Sequence, residues 1–354
     1  MKQDPTETIA QLTHALAHDF RLMPLRAPDC PVFLAVAWPV AEGVTGLKPR
    51  LPAGRGLTLQ QALIAAGAEA LELRASLAQR RIDELAALPR RDGIALVAAR
   101  DLLTGETVPV SAQEVYLDCA FVLSEPLVAD ANSTGCAVGP TRNDATASAL
   151  WECVERDAVA LWWHGGLAPG PLPLELIDKM QPRLFWWLEQ RARSTRLLDL
   201  TTDIGLPVVV AVSADHDGRF VAMGSAARSR PAEAALAAVT EMVQTEIGME
   251  QARIAGDPEL AAWVAHASTE TQVQFRPATA KPPVASPLNP VDLARRLADL
   301  GHRVLAVDLA LPGDPLPGMR VMVPGLCAMR GRIGTGRFAR LCPDRGGPDF
   351  PEPF

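Results

Sequence analysis

The stretch that decides the fold runs from Gly139 to Glu155 and reads GPTRNDATASALWECVE. Counted from its first residue, it has alanine at +6 and +10 and glutamate at +13 and +16. Spacings of three and four residues place these side chains on one face of an α-helix. Alanines there let another backbone come close, whereas the two glutamates require something positive to face.

Two other stretches repeat this pattern: Gly56–Glu72 (GLTLQQALIAAGAEALE) and Arg228–Gln244 (RSRPAEAALAAVTEMVQ). The three copies share small or acidic residues at the same four places, with one amide exception: Ala62, Ala145 and Ala234; Ala66, Ala149 and Ala238; Glu69, Glu152 and Glu241; Glu72, Glu155 and Gln244. Their spacing of roughly 80 to 90 residues is too long for a solenoid. It indicates similar strand–helix units around a common centre.

A single E-x-x-E pair is most often a solvated helix surface. Three copies in register, each with alanines at the same places, favour a shared acidic pocket instead. The simplest way to neutralise such a pocket is a hard divalent cation. We therefore predict a metal site formed by Glu69, Glu72, Glu152, Glu155 and Glu241.

The composition of the 354 residues is that of a globular protein, with 48% hydrophobic and 21% charged residues. The net charge of −7 argues against non-specific nucleic-acid binding. The polar N-terminus lacks a signal-peptide core, and no apolar run approaches the ~18 residues of a membrane span, so we expect a cytoplasmic protein. The six cysteines lack C-x-x-C spacing and are predicted to be buried packing residues.

Apolar strand-like runs alternate with helical patterns along the chain, which predicts an α/β fold with mixed sheets. Val32–Val40 and Pro207–Ser213 are the clearest buried strands, and Thr58 with Gln61 resembles a capping box. We predict a single domain over 1–354. It comprises a core at about 20–265, a C-terminal αβ unit at 290–341 and a proline-rich tail at 342–354.

Several motifs in order resemble those of the YcaO family. They are STGCAVG (Ser133–Gly139) followed by ECVERDA (Glu152–Ala158), then LDLTTDIGLPVVVAVS (Leu198–Ser213), TEMVQ (Thr240–Gln244) and MRVMVPGL (Met319–Leu326). The resemblance implies a YcaO-like fold with three similar helix-bearing units around a central ATP and Mg²⁺ site. It also implies ATP-dependent activation of a peptide backbone amide. In the cyclodehydratase branch, a Cys, Ser or Thr side chain attacks the preceding carbonyl and its oxygen is phosphorylated. Loss of phosphate leaves a thiazoline or oxazoline ring.

Matched position by position, the resemblance implies these cofactor-binding residues: Arg55, Glu69, Glu72, Asp144, Ser148, Glu152, Glu155, Arg156, Arg228, Glu241 and Gln244. Arg230 with Glu233 is an alternative to Arg228 for a short R-to-E element. Departures from the family pattern at Ala65, Leu73, Pro140 and Ser148 shorten or remove polar groups. They support a degenerate, non-catalytic scaffold as an alternative, whereas the retained glutamates favour an active ATP-using enzyme.

Azoline-forming members typically end in P-x-P-x-P, with the chain end near the active site. Here only Pro351 and Pro353 alternate, before Phe354. We expect these three residues to act in catalysis because proline fixes an extended conformation. A disordered tail is the alternative. The incomplete alternation also supports a related reaction, thioamidation with external sulfide.

The resemblance further implies a precursor peptide as substrate. Since only Met1–Arg55 precede the first repeat, we expect a separate leader-binding partner of the ubiquitin-activating-enzyme-like type. A flavin-dependent dehydrogenase in the same complex and a homo- or hetero-oligomeric assembly are also expected.

Overall fold

The computed structural model describes residues 4–25, 27, 29–278, 288–327 and 336–344. Within these residues the chain forms the following α-helices: Pro5–Leu16 (α1), Leu59–Ser76 (α2), Ile82–Ala86 (α3), Ala112–Val115 (α4), Cys119–Val122 (α5), Arg142–Trp163 (α6), Glu175–Asp178 (α7), Pro182–Gln190 (α8), Pro231–Ala255 (α9), Pro258–His266 (α10), Pro290–Asp299 (α11) and Gly336–Leu341 (α12).

The same described residues form these strands: Phe20–Leu25 (β1), Phe33–Pro39 (β2), Ala53–Gly56 (β3), Arg90–Arg91 (β4), Ile94–Asp101 (β5), Thr107–Ser111 (β6), Cys136–Val138 (β7), Gly170–Leu172 (β8), Ser194–Asp199 (β9), Val208–Ala214 (β10), Ala222–Ala227 (β11), Leu305–Asp308 (β12) and Gly318–Met322 (β13). The two predicted strands are β2 and β10.

The chain divides into two compact units. The first unit comprises the described parts of Met1–Arg26, Phe33–Cys153 and Arg303–Pro324. The second comprises those of Ala27–Val32, Val154–His302 and Gly325–Phe354. Strands β12 and β13 thus belong to the first unit, and helices α11 and α12 to the second. The single domain over 1–354 stays a prediction.

In the first unit, the sheet β1-β2-β3 packs against α2. Helix α2 begins as the capping pattern predicts, with the Thr58 side chain accepting a hydrogen bond from the Gln61 N–H. Gly54 of β3 lies on the α2 backbone so closely that a Cβ there would be 2.1 Å from the nitrogen of Ala66. It would also be 2.4 Å from the carbonyl oxygen of Ala62. The repeat alanines are therefore where a strand crosses the helix, as their size predicts.

The other sheet of the first unit has the order β4-β5-β12-β13-β7, with β6 paired to β5. Strands β12 and β13 come from the later part of the chain, yet they lie between β5 and β7. The register pairs Arg320 of β13 with Cys136 of β7, and Leu305 of β12 with Asp101 of β5. This sheet buries the apolar residues of β5 and the α4–α5 segment.

In the second unit, antiparallel strands form the sheet β11-β10-β9-β8, against which α9 packs. Gly224 of β11 repeats the arrangement of Gly54. A Cβ there would lie 2.2 Å from the Met242 nitrogen and 2.4 Å from the Ala238 carbonyl oxygen of α9. The first and third repeats therefore share a glycine-on-helix contact between a strand and the alanine face that follows it.

Helix α12 is attached within the second unit by a buried ion-pair network. The Arg337 guanidinium donates through Nε to both carboxylate oxygens of Asp157, at 3.1 and 3.0 Å. It also donates through Nη2 to Asp203, at 2.6 Å. The side chains of Arg337 and Asp157 are almost fully buried, whereas Asp203 is 34% exposed. The two carboxylates lower the cost of burying the guanidinium.

The predicted α/β class is confirmed, and the strand pairs are antiparallel. Every ladder between the described strands is antiparallel, and a parallel bridge occurs in isolation at Leu77 and Leu117. Short connections such as those between β9, β10 and β11 allow antiparallel pairing, whereas a parallel pair needs a crossover. Among the described helices, none is both long and apolar enough to cross a membrane.

Candidate functional site

The glutamates at +13 of the first two repeats make the same contact. The Oε2 atom of Glu69, on α2, accepts a hydrogen bond from the Ala53 N–H of β3 at 3.3 Å. The Oε2 atom of Glu152, on α6, accepts one from the Gly135 N–H, just before β7, at 3.1 Å. In both repeats the carboxylate thus reaches back to the strand region that precedes its helix. Glu69 is exposed and Glu152 is half-buried.

Gly135 can be replaced by no other residue without rearrangement. Its φ is +79°, in the left-handed region. A Cβ there would lie 2.1 Å from the Val321 carbonyl oxygen and 2.9 Å from the Cys153 Sγ. The Val321 N–H also donates to the Gly135 carbonyl oxygen, at 2.7 Å. Strand β13 therefore fixes the backbone group that orients Glu152, and this accounts for the first glycine of the STGCAVG motif.

Glu72, one turn after Glu69 on α2, interacts with both of these glutamates. Burial raises the pKa of Glu72 well above its usual range, and the negative charges of Glu152 and Glu69 raise it further. The positive charge of Arg320 acts in the opposite direction. We call Glu69, Glu72 and Glu152 the acidic cluster; all three belong to the first unit.

The acidic cluster has the donor chemistry that suits a hard cation, because a divalent ion relieves repulsion between carboxylates. Among the described residues, however, no group of three His, Cys, Asp or Glu side chains is arranged to hold a metal ion by itself. A cation here would take its remaining ligands from water or from a bound molecule such as a phosphate. Mg²⁺ commonly binds in this way, through one or two carboxylates plus phosphate oxygens.

Glu155, three residues after Glu152 on α6, belongs to the second unit and is buried. Its Oε1 accepts a hydrogen bond from the Ser225 hydroxyl at 2.6 Å, and its Oε2 accepts one from the Ala227 N–H at 3.2 Å. Nη2 of Arg156 is 3.8 Å from the same Oε1. Glu155 therefore joins α6 to β11.

The other residues predicted in the second unit lie close to β11 and α9. Arg228, directly after β11, is half-buried, and its Nη1 donates to the Ala227 carbonyl oxygen at 2.7 Å. Glu241 and Gln244 are half-buried on α9. Arg230 pairs with Glu233 in the first turn of that helix.

Three further predicted residues belong to the first unit. The carboxylate of Asp144 accepts a hydrogen bond from the Thr141 hydroxyl at 2.7 Å, and the Asp144 N–H donates to that hydroxyl at 3.2 Å. This exchange stabilises the start of α6 and accounts for an acidic residue at this position. Ser148 is exposed on α6, and Arg55 is half-buried in β3.

All six cysteines are free thiols. Five are buried, as the sequence predicts, whereas Cys30 is half-buried. Burial raises the pKa of the Cys136 thiol to about 11 and that of Cys153 to about 12. Because the thiolate is the nucleophilic form, these two neighbours of the acidic cluster are packing residues. The predicted catalytic residues Pro351, Pro353 and Phe354 lie outside the described residues.

Arg320 is a site residue that the sequence analysis did not single out. It lies on β13, its side chain is buried, and its charge acts on Glu72 and Glu152. The available signal was an arginine in the middle of the apolar run MRVMV, since arginine is rarely fully buried without a polar partner.

More than half of the chain matches a protein-family model. Residues 78–327 match the model described as YcaO cyclodehydratase, ATP- and Mg²⁺-binding. An uncharacterized protein in the tfuA 3′ region of Rhizobium leguminosarum bv. trifolii is 28% identical over 324 aligned positions. That alignment covers 77% of this chain and 76% of the relative.

Three solved structures have a similar fold. A heterocyclase in complex with substrate and cofactor matches with a TM-score of 0.82 and 19% identity, over 99% of this chain and 58% of its own. YcaO from Methanopyrus kandleri bound with AMPPCP and Mg²⁺ matches with a TM-score of 0.66 and 23% identity, over 99% and 96%. The E. coli microcin synthetase McbBCD complex with pro-MccB17 bound matches with a TM-score of 0.63 and 15% identity, over 86% and 87%. This chain thus spans 58% of the length of the first of these proteins.

Proposed function

We propose that this chain, which belongs to the YcaO family, uses ATP to activate a backbone amide of a ribosomally made precursor peptide. In this proposal it closes a Cys, Ser or Thr side chain of that peptide into a thiazoline or oxazoline ring. The observation that carries the proposal is the acidic cluster. The negative charges of Glu152 and Glu69 both act on Glu72. Three carboxylates that repel one another in this way are suited to binding Mg²⁺ together with nucleotide phosphates.

The side chains of the acidic cluster have distinct tasks in this proposal. Glu152, oriented by the Gly135 N–H, and Glu72 would hold the cation. Glu69 is exposed and would meet the nucleotide from the solvent side. When bound, ATP supplies the phosphoryl group that turns the amide oxygen into a leaving group. Fixing such charges in advance is how a protein accelerates phosphoryl transfer.

The proposal extends to residues of the repeat pattern and the family resemblance outside the cluster. Glu155 and Glu241 occupy positions equivalent to Glu72 and to Glu69 and are proposed as further cation ligands. Further nucleotide contacts are proposed for Arg55, Asp144, Ser148, Arg156, Arg228 and Gln244. Pro351, Pro353 and Phe354 are proposed to act on the peptide side of the reaction. A leader-binding partner and a flavin-dependent dehydrogenase are the proposed companions.

A second candidate reaction is thioamidation, in which external sulfide replaces the amide oxygen. Its support is the incomplete alternation of Pro351 and Pro353. Product mass separates the two reactions. Ring formation loses one water and consumes a Cys, Ser or Thr side chain, whereas thioamidation exchanges one oxygen for sulfur and leaves every side chain intact.

The experiment that tests the function combines the purified chain with a precursor peptide, its partner protein, ATP and Mg²⁺. The peptide mass and phosphate release are then followed together. Peptide modification that depends on ATP supports the enzyme proposal, and the mass change identifies the reaction.

The third candidate is a non-catalytic scaffold, which is favoured by the departures from the family pattern at Ala65, Leu73, Pro140 and Ser148. Mg²⁺-dependent ATP turnover by the purified chain would contradict it.

A further inference from the structure

Arg320 is an unusual component of the first unit, because its buried guanidinium is bonded to neutral acceptors. Its side chain is 6% exposed. Nη1 donates to the Asn132 carbonyl oxygen at 2.6 Å and to the Cys136 Sγ at 3.2 Å, and Nη2 donates to the Glu114 carbonyl oxygen at 3.1 Å. Its buried Nε has no hydrogen-bond partner among the described residues.

Neutral acceptors alone compensate poorly for burying a full positive charge. Negative charge close to Arg320 lowers this cost. Burial lowers the pKa of Arg320, and interactions with Cys136, then with Cys153 and Glu152, raise it; Arg320 in turn lowers the pKa of Glu72. The Arg320 guanidinium and the carboxylates of Glu72 and Glu152 therefore interact electrostatically.

The position of Arg320 is fixed by the sheet. Strand β13 pairs with β7 so that Arg320 lies opposite Cys136, and the next residue, Val321, bonds to Gly135. Gly135 in turn donates to Glu152. One short segment of β13 therefore holds both the positive charge and the backbone group that orients the carboxylate.

We infer that Arg320 is a positioning residue, a permanent internal cation that holds Glu72 and Glu152 together and moderates how strongly the acidic cluster attracts a divalent cation. This inference rests on the proposed function of the acidic cluster. Arg320 does not bind the cation itself. It leaves enough negative charge for one to bind, and it stabilises the carboxylates when none is bound.

Removing the Arg320 charge should strengthen metal binding, whereas damage to the structure of the site would weaken it. Arg320→Gln removes the charge and keeps an amide that can donate to the Asn132 and Glu114 carbonyl oxygens. Mn²⁺, a spectroscopic substitute for Mg²⁺, should then bind on the order of tenfold more tightly to the nucleotide-free chain, because a repelling charge is gone. Arg320→Lys keeps the charge and should leave Mn²⁺ affinity unchanged. Arg303→Gln, which removes an exposed charge of the same unit, is the matched control and should also leave it unchanged.

Electron paramagnetic resonance of free Mn²⁺ measures these affinities. Unchanged or weaker Mn²⁺ binding by a folded Arg320→Gln variant would overturn the inference. Failure of the wild-type chain to bind Mn²⁺ would instead count against the proposed metal site, so the two failures are distinguishable.

A second measurement needs no metal and decides the inference by itself. Thermal unfolding in EDTA is compared for Arg320→Gln, Glu72→Gln and the double variant. Removing the Glu72 charge should raise the unfolding midpoint more on the Arg320→Gln background than on the wild-type background. If Arg320→Gln alone does not fold, the double variant should fold. Additive midpoints, or a double variant that is unfolded while Glu72→Gln folds, would show that Arg320 acts independently of the cluster.

Discussion

The backbone N–H of Gly135 donates a hydrogen bond to the Glu152 carboxylate, 3.1 Å away and 17 residues later in the chain. Gly135 has a φ of +79°, so the residue that orients the carboxylate is one for which a left-handed conformation costs little. Glu69 receives the equivalent bond from Ala53. A strand that delivers one N–H to a glutamate of the following helix is therefore a repeated element of this fold.

Glu152→Gln should abolish Mg²⁺-dependent ATP turnover and preserve the fold. The amide keeps the size of the side chain and can still accept from the Gly135 N–H, but it loses the charge that attracts the cation. We expect a loss of at least roughly 100-fold in phosphate release, with an unchanged circular dichroism spectrum. Glu106→Gln, on the exposed side of the first unit, is the control and should turn over ATP normally. Normal turnover by Glu152→Gln would remove Glu152 from the proposed site.

Gly135→Ala should destabilise the protein far more than Gly93→Ala. Both glycines have positive φ, +79° and +82°. An alanine in this left-handed conformation costs about 1 kcal/mol of folding free energy at either position. Only Gly135 would also place a Cβ 2.1 Å from a carbonyl oxygen, whereas no atom lies within 4 Å of a Cβ at Gly93. Overpacking should bring the total for Gly135→Ala to about 3 kcal/mol or more. Urea unfolding measures the free energy of unfolding of both variants. Equal losses of stability would show that the backbone at Val321 moves away from the new Cβ at little cost.

Glu72→Gln should stabilise the metal-free protein at neutral pH. Folding raises the pKa of Glu72, so between its unfolded value of about 4.3 and its raised folded value the folded state binds more protons than the unfolded one. The raised pKa of Glu72 therefore leaves the folded state undisturbed at low pH, where Glu72 is protonated in both states. The free energy of unfolding falls as pH rises through the folded pKa and Glu72 loses its proton. Thermal unfolding in EDTA from pH 5 to pH 8 should fall less steeply with pH for Glu72→Gln than for wild type. Parallel curves would show that Glu72 ionises without strain.

Arg337→Met should destabilise the second unit by roughly 3–5 kcal/mol, because it leaves Asp157 buried without its counter-charge. Arg340→Met changes an exposed arginine of the same helix and should cost little. Denaturant unfolding followed by tryptophan fluorescence measures the difference, since Trp162 and Trp163 lie on the same helix as Asp157. A loss as small as that of the control would mean that water replaces the guanidinium.

Local features of this chain could be predicted from the sequence, and distant pairings could not. Alanines at fixed spacing indicated a close strand–helix contact, which Gly54 and Gly224 supply. Asp144 was predicted to bind the cofactor only from the family resemblance. Its hydrogen bond with Thr141 shows that capping the start of α6 is another reason for an acidic residue at this position. The effect of Arg320 depends on which strands lie beside β13, and strand order is set by contacts between distant segments that periodicity does not report.

The central position of β12 and β13 has a consequence for synthesis of the protein on the ribosome. Strands β5 and β7 emerge from the ribosome long before β12 and β13, the two strands that lie between them. At a translation rate of roughly 5–20 residues per second, the delay is on the order of ten seconds. During that interval the inner edges of both strands and their apolar residues are exposed to solvent or to a chaperone. The nascent first unit should therefore resist proteases only after residues 305–322 have left the exit tunnel.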